Sequence, residues 1–301
     1  IVCIGTPVDK NQKPIVKDFF NIMQLIKNNT NEKQFIIIRS SVYPGFVNFL
    51  AKKYKMKNLF YCPERITQGN SIDELPKIPQ IISGIDKKNI FLINKLFKKI
   101  CKFIINCEII EAELAKIFSN VFRYINFSIP NEFFLISNKY KANFNNVIKV
   151  MKFKYPRCNS LAYQGFIGGP CLEKDLLQLK YFNRESKLLN GSLSTNKKLL
   201  DYIMSEIKKI KNYKSKTIGI LGLGFKPENE DLRGSVPIKI YKKLKKMKLK
   251  LIATDPYAKI PNLVNVKIFK KRADIVIKGT SHKEYENIKF LNKTIVIDIN
   301  Q

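Results

Sequence analysis

The chain has 301 residues, 45% of them apolar and 11% aromatic, which excludes a disordered polymer and allows two or three hydrophobic cores. No apolar run approaches the roughly 18 residues a membrane-spanning helix needs, and no partner membrane is expected. The net charge of +31 suggests nucleic acid, but the lysines spread along the whole length, Ile and Asn are abundant and Trp is absent. Codon drift in an AT-rich genome gives that pattern, so no nucleic-acid partner is expected; a true preference for anionic partners, phosphorylated substrates included, is the alternative.

The chain opens on "IVCIGTP" (1–7), an apolar run with the look of a strand in mid-domain rather than of a beginning, so a fragment is expected. This run and "FIIIRSS" (35–41) have the Ile/Val richness of buried parallel strands, and "VKDFFNIMQLIKN" between them has helical spacing. That is βαβ logic. The Gly-rich phosphate loop of a dinucleotide fold would precede this point and is not in the sequence.

Residues 111–155 read as a long helical tract that Pro130 is expected to kink or break. Residues 156–174 are turn-rich, and 175–212 return to helical spacing. "SKTIGILGLGF" (215–225) then opens a second strand-and-turn unit, followed by the Lys-rich run "YKKLKKMKLKL", "KLIATDPYA", "RADIVIKGT" and "KTIVIDIN". The expected architecture is α/β: two Rossmann-like doubly wound domains, the first incomplete, joined by a central helical domain. The boundaries read are 1–110, 111–212 and 213–301. "GLGF" is only part of a G-x-G-x-x-G fingerprint.

The six cysteines contain no C-x-x-C pair, and His282 is the only histidine, so no metal site is expected. A disulfide framework is not expected in a chain of this type, which points to the cytoplasm. Acid–base chemistry must then lean on Lys, Asp, Glu or Cys.

Lys116 and Asn120 stand i, i+4 on one helical face, with Glu113 and Arg123 beside them. The stripe is either solvated or recruited for hydrogen bonding. In "GFIGGPCLEKDLLQL" (165–179), Gly168 and Gly169 permit close approach, and Cys171 precedes a helix start with Lys174 nearby. Those surroundings favour a thiolate, although a lone cysteine is more often a small buried residue. "RSSVYPG" puts two hydroxyls at a strand end, "CPERITQG" puts Glu64 and Arg65 on a turn, and "GFKPENEDLRGS" offers Lys226 and Arg233 to phosphates.

Taken in order, "GTPVD", "RSSVYPG", "CPERITQG", "AELAKIFSNVFR", "NEF", "GGPCLEKD", "GFKPENEDLR" and "TDPYA" resemble the nucleotide-sugar dehydrogenases, over nearly the whole chain. The resemblance implies an NAD-dependent four-electron oxidation of the C6 alcohol of a UDP-sugar, by a cytoplasmic homodimer supplying polysaccharide precursors. It implies that Cys171 is the thiol nucleophile, Lys116 and Asn120 the oxyanion donors, Asp175 the acid that positions water, and Glu64 an acid–base partner. It places Thr6, Ser41, Lys174 and Arg233 on the cofactor side. Glu64, Arg65, Lys116, Gly168, Lys226 and Arg157 fall to the substrate, Arg157 from the neighbouring subunit. Ser41 stands where the family often has Thr, Gln68 where Glu is common, and Glu173 where Pro is frequent. "CPERITQG…ELPKIPQIISG" is closer to the branch acting on UDP-N-acetylmannosamine or UDP-N-acetylglucosamine than to UDP-glucose 6-dehydrogenases. A basic anion-binding protein without catalysis is the alternative from another class.

Overall fold

A computed structural model describes residues 1–299. The chain falls into two compact units: Ile1–Phe122 with Lys174–Glu185, and Arg123–Glu173 with the chain from Ser186 on.

In the first unit, α1 (Lys17–Asn29) buries Phe19 and Met23, one turn apart, and carries Asp18 in its first turn and Lys27 in its last. It is followed by β1 (Ile36–Ile38), α2 (Phe46–Tyr54), β2 (Leu59–Tyr61), the single turn α3 (Ser71–Glu74), β3 (Gln80–Gly84), α4 (Ile90–Phe97) and β4 (Ile104–Asn106). The sheet order is β1-β2-β3-β4, with Val2 bridged in parallel to Ile38. β1 to β3 are buried along their whole length, and β1 is three isoleucines in a row, as strands under helices are. The βαβ reading of 1–41 holds, but "IVCIG" contributes one bridge rather than a strand, and β2 pairs with β3 antiparallel. The chain returns to β3 through the turn-rich 62–79 segment, whose length leaves either direction open.

Helix α5 (Ile109–Lys139) runs 31 residues straight through Pro130. The expected break does not occur. Proline removes one hydrogen bond, while Tyr124, Asn131 and Phe134 on either side of it are buried, and tertiary packing outweighs the loss.

The second unit continues with α6 (Phe144–Lys152); α7 (Leu172–Phe182) then crosses the division at Lys174, and α8 (Lys187–Lys209) returns to this unit. The parallel strands β5 (Ile218–Leu221), β6 (Leu251–Thr254), β7 (Ile275–Lys278) and β8 (Ile295–Ile297) follow, with α9 (Val236–Lys246) and α10 (Val266–Arg272) as crossovers. The order β6-β5-β7-β8 is doubly wound: strands are added on one side of β5 and then on the other, so the winding switches between β5 and β7. Open α/β sheets bind ligands at the carboxyl ends of the strands flanking that point. The lysines of α9 stand on its exposed side, while Val236, Ile240 and Leu244 are buried. Residue 300, which ends the strand reading "KTIVIDIN", and residue 301 lie outside the described residues. No helix among the described residues is long and apolar enough to cross a membrane.

Candidate active site

The residues singled out in the sequence fall into two groups, one in each unit. In the first unit, α5 presents Lys116 and Asn120 one turn apart, both buried rather than solvated. Asn120 Nδ2 donates to Asp175 Oδ2 at 2.6 Å, and Asp175 is fully buried on α7. Lys174 Nζ stands 2.7 Å from Asp175 Oδ1, an ion pair whose angles leave Oδ1 without a directed hydrogen bond. Lys174 also donates to Thr6 Oγ1 at 3.2 Å, and the Thr6 hydroxyl donates to the Ser41 carbonyl. Gln178, one turn beyond Lys174, donates from Nε2 to Thr6 O at 2.6 Å. Thr6, Ser41, Lys174, Asp175 and Asn120 thus form one bonded chain.

Glu64 and Arg65 belong to a second bonded group. Glu64 pairs with Arg39 and accepts from the amides of Arg65 and Ile66 at 2.7 and 2.9 Å. Arg39 also donates to Gln80 Oε1 and lies over the Phe97 ring. Arg65 donates to the Pro79 carbonyl. Burial lowers the pKa of both guanidiniums from the usual arginine value. Arg39 was not singled out as a site residue, although an arginine ending the apolar run "FIIIR" is a signal of that kind.

Glu113 was noted only as a neighbour of Lys116, and it has a task of its own. It is fully buried, and its two oxygens accept from the Gly45 and Val47 amides at 2.6 and 2.8 Å. Gly45 caps α2 at φ 87° without a side-chain cap, so Glu113 supplies from α5 the anion that a helix N-terminus attracts. Burial is the larger influence on its carboxyl and raises it to about 7 against those two hydrogen bonds.

In the second unit, Cys171 is exposed and immediately precedes α7. Arg233 is exposed and forks onto Asp231, with Nε at 3.0 Å from Oδ1 and Nη2 at 2.8 Å from Oδ2. Its pKa is raised chiefly by Asp231, with a smaller contribution from the Cys171 thiol. The two glycines before Cys171 have a packing reason of their own. A Cβ on Gly168 would stand 3.2 Å from Phe225 Cβ, and one on Gly169, at φ 103°, 2.9 Å from the Phe225 ring. Gly169 and Gly234 meet backbone to backbone.

A cavity of about 190 Å³ lies at the carboxyl ends of β5 and β7, bordered by Gly168, Phe225, Lys226, Gly279, Thr280 and Ser281 among others. The network beneath it is fully buried: Asp255 Oδ2 accepts from the Leu223 and Gly224 amides, and Thr280 Oγ1 donates to the Gly224 carbonyl. Asp255 is held at about 2: burial works against its carboxylate, and His282 and the backbone amides outweigh that. Arg157 is exposed on the 3₁₀ turn Pro156–Cys158, beside Tyr155, and does not border this cavity.

Three sequence models of one family match the chain. The NAD binding domain matches residues 1–101, the central domain 110–198 and the UDP binding domain 219–301. The chain belongs to the UDP-glucose/GDP-mannose dehydrogenase family. It is therefore an NAD-dependent oxidoreductase. It is 26% identical to a UDP-N-acetyl-D-mannosamine dehydrogenase of Methanocaldococcus jannaschii, over 95% of this chain and 69% of that protein. It is 28% identical to a UDP-glucose 6-dehydrogenase of Campylobacter jejuni, over 95% of this chain and 76% of that protein. The fold is shared with the solved UDP-D-ManNAc dehydrogenase of Pyrococcus horikoshii, at TM-score 0.88 and 23% identity over 99% of this chain and 76% of that one.

The first unit fits the family's cofactor. The Thr6 hydroxyl, the Ser41 carbonyl and the Lys174 ammonium gather just beyond the point where Val2 bridges β1 in parallel. Gln178 Oε1 is buried there without a hydrogen-bond partner, an acceptor open to an amide or hydroxyl donor.

Proposed function

We propose that this protein oxidises the C6 hydroxyl of UDP-N-acetylmannosamine or UDP-N-acetylglucosamine to a carboxylate, supplying cell-surface glycan precursors. NAD, when bound, takes up the electron pair of each of the two oxidation steps. Cys171 adds through its thiolate to the aldehyde carbon, so that the thiohemiacetal is oxidised to a thioester. Water then cleaves the carbon–sulfur bond, releasing the carboxylate and restoring the thiol. Lys116 and Asn120 hold the developing oxyanion, as a cation and an amide donor do. Asp175 orients the attacking water, and Glu64 moves protons. Thr6, Ser41, Lys174 and Arg233 hold the cofactor side, while Arg65, Gly168, Lys226 and Arg157 hold the substrate.

The observation that supports these roles most is the buried Asn120–Asp175 bond. It ties the amide proposed for the oxyanion to the helix that Cys171 directly precedes. The domains assigned to these tasks are 1–110 for NAD, 111–212 for dimerisation and catalytic residues, and 213–301 for UDP. Exposed Phe118, Phe122, Phe127 and Phe133 along α5 support a homodimer, and six free cysteines support a cytoplasmic enzyme.

The test is a substrate panel. The protein in its full natural length is expected to reduce NAD with a UDP-N-acetylhexosamine at a higher kcat/KM than with UDP-glucose. Preference for UDP-glucose would overturn the substrate assignment, and no NADH with any UDP-hexose would overturn the reaction.

A further inference from the structure

We propose that His282 is a positioning residue for nucleotide binding, acting as the clasp of the loop that carries Lys226. The only histidine of the chain is buried between two partners. The Glu228 amide donates to Nδ1 at 3.0 Å, and Nε2 lies 3.2 Å from Asp255 Oδ2. An amide donor fixes Nδ1 as the acceptor, so the ring proton sits on Nε2 and points to the carboxylate. Asp255 in turn holds the Leu223 and Gly224 amides. The imidazole–carboxylate pair therefore grips both ends of the Gly224–Glu228 loop, with Phe225 and Lys226 between them at the cavity wall.

Glu228 shows why the grip matters. Its φ is +47°, a left-handed conformation that a residue with a side chain adopts only when its surroundings impose it. The Nδ1 bond imposes it from one side. On the other, the Lys283 amide, the residue after His282, donates to Glu228 Oε1 at 3.0 Å. Tyr257 and Tyr285 pack their rings against the imidazole at 5.1 and 5.2 Å, which fixes its plane. The groups Glu228, His282 and Glu284 also have the spacing of a metal cluster. Metal binding is disfavoured because both ring nitrogens are already committed to Glu228 and Asp255.

The inference rests on the cavity being the UDP site. If the clasp opens, only a fraction of molecules present Lys226 correctly, and apparent affinity falls by that fraction. His282→Asn keeps an acceptor near the Nδ1 position, whereas His282→Gln reaches toward Asp255 and leaves the Glu228 amide unpartnered. The clasp predicts that calorimetric titration with UDP gives a dissociation constant near wild type for H282N. For H282Q it predicts about tenfold weaker binding, the effect of one unmade buried hydrogen bond. In the full-length enzyme, KM should rise for H282Q with kcat nearly unchanged.

Hydrogen exchange of the Glu228 amide reads the clasp without ligand and should accelerate in H282Q but not in H282N. Equal binding by all three proteins, or equal weakening in both variants, overturns the inference and leaves the cavity assignment standing. Failure of the wild-type protein to bind UDP overturns the assignment itself and the positioning role with it. Unchanged exchange in H282Q overturns the clasp in any of these cases.

Discussion

Glu113 makes the stability of this protein pH-dependent, with a sign opposite to that of a salt-bridged carboxylate. Its carboxyl, ordinarily near 4.5, is raised to about 7 in the folded chain, first by burial and against the opposing pull of the Gly45 and Val47 amides. The folded state therefore holds the proton more tightly than the unfolded state. The stabilisation is fully present below about pH 4.5 and is lost as pH rises toward about 7. At about 1.4 kcal/mol per pH unit, the loss over that interval is about 3 kcal/mol, a large share of the roughly 5–15 kcal/mol typical of a domain. Glu113→Gln removes the titration. Its amide oxygen accepts from one of the two backbone N–H groups and its NH₂ faces the other, a loss of about 1–3 kcal/mol at pH 5. Urea unfolding followed by far-UV circular dichroism at pH 5, 6, 7 and 8 reads both effects. Wild type should lose stability from pH 5 to about pH 7 and level off by pH 8. E113Q should start lower and stay flat, so that the two converge by pH 8. Parallel pH profiles would refute the reasoning, since Glu113 would then not be the group that titrates.

Gly169→Ala places a Cβ 2.9 Å from the Phe225 ring at a φ of 103°, and should cost about 2 kcal/mol or more in urea unfolding. The same change should weaken UDP binding, because Phe225 borders the cavity; an unchanged unfolding midpoint would mean the loop has room to shift. Asp175→Asn turns one face of the buried carboxylate into a donor directed at the Lys174 ammonium, 2.7 Å away in the native pair. A stability loss of about 2 kcal/mol is expected, with a large drop in kcat, and wild-type values for both would remove Asp175 from the site.

Elements whose signals are local were legible in the sequence. The spacing of α1 and the Ile/Val runs of β1, β5 and β7 place those elements where they stand. The i, i+4 relation of Lys116 and Asn120 predicts a shared face, and both are buried on it. Pro130 misleads because its cost is local while the burial around it is tertiary. The antiparallel β2–β3 pair is invisible because strand direction is set by pairing rather than by composition. The same holds for Glu113, whose partners lie more than sixty residues away, and for His282, whose loop lies 54 residues back. The close approach that Gly168 and Gly169 permit is made in part by Phe225 and Gly234, whose nearness no local signal shows.

The central claim is that Cys171 carries the second oxidation. The measurement is the NADH yield per molecule of UDP-N-acetylhexosamine consumed, by full-length wild type and by Cys171→Ser. The account predicts two NADH per sugar and a carboxylate product for wild type. For C171S it predicts that the four-electron oxidation is not completed. Two NADH per sugar from C171S would contradict it.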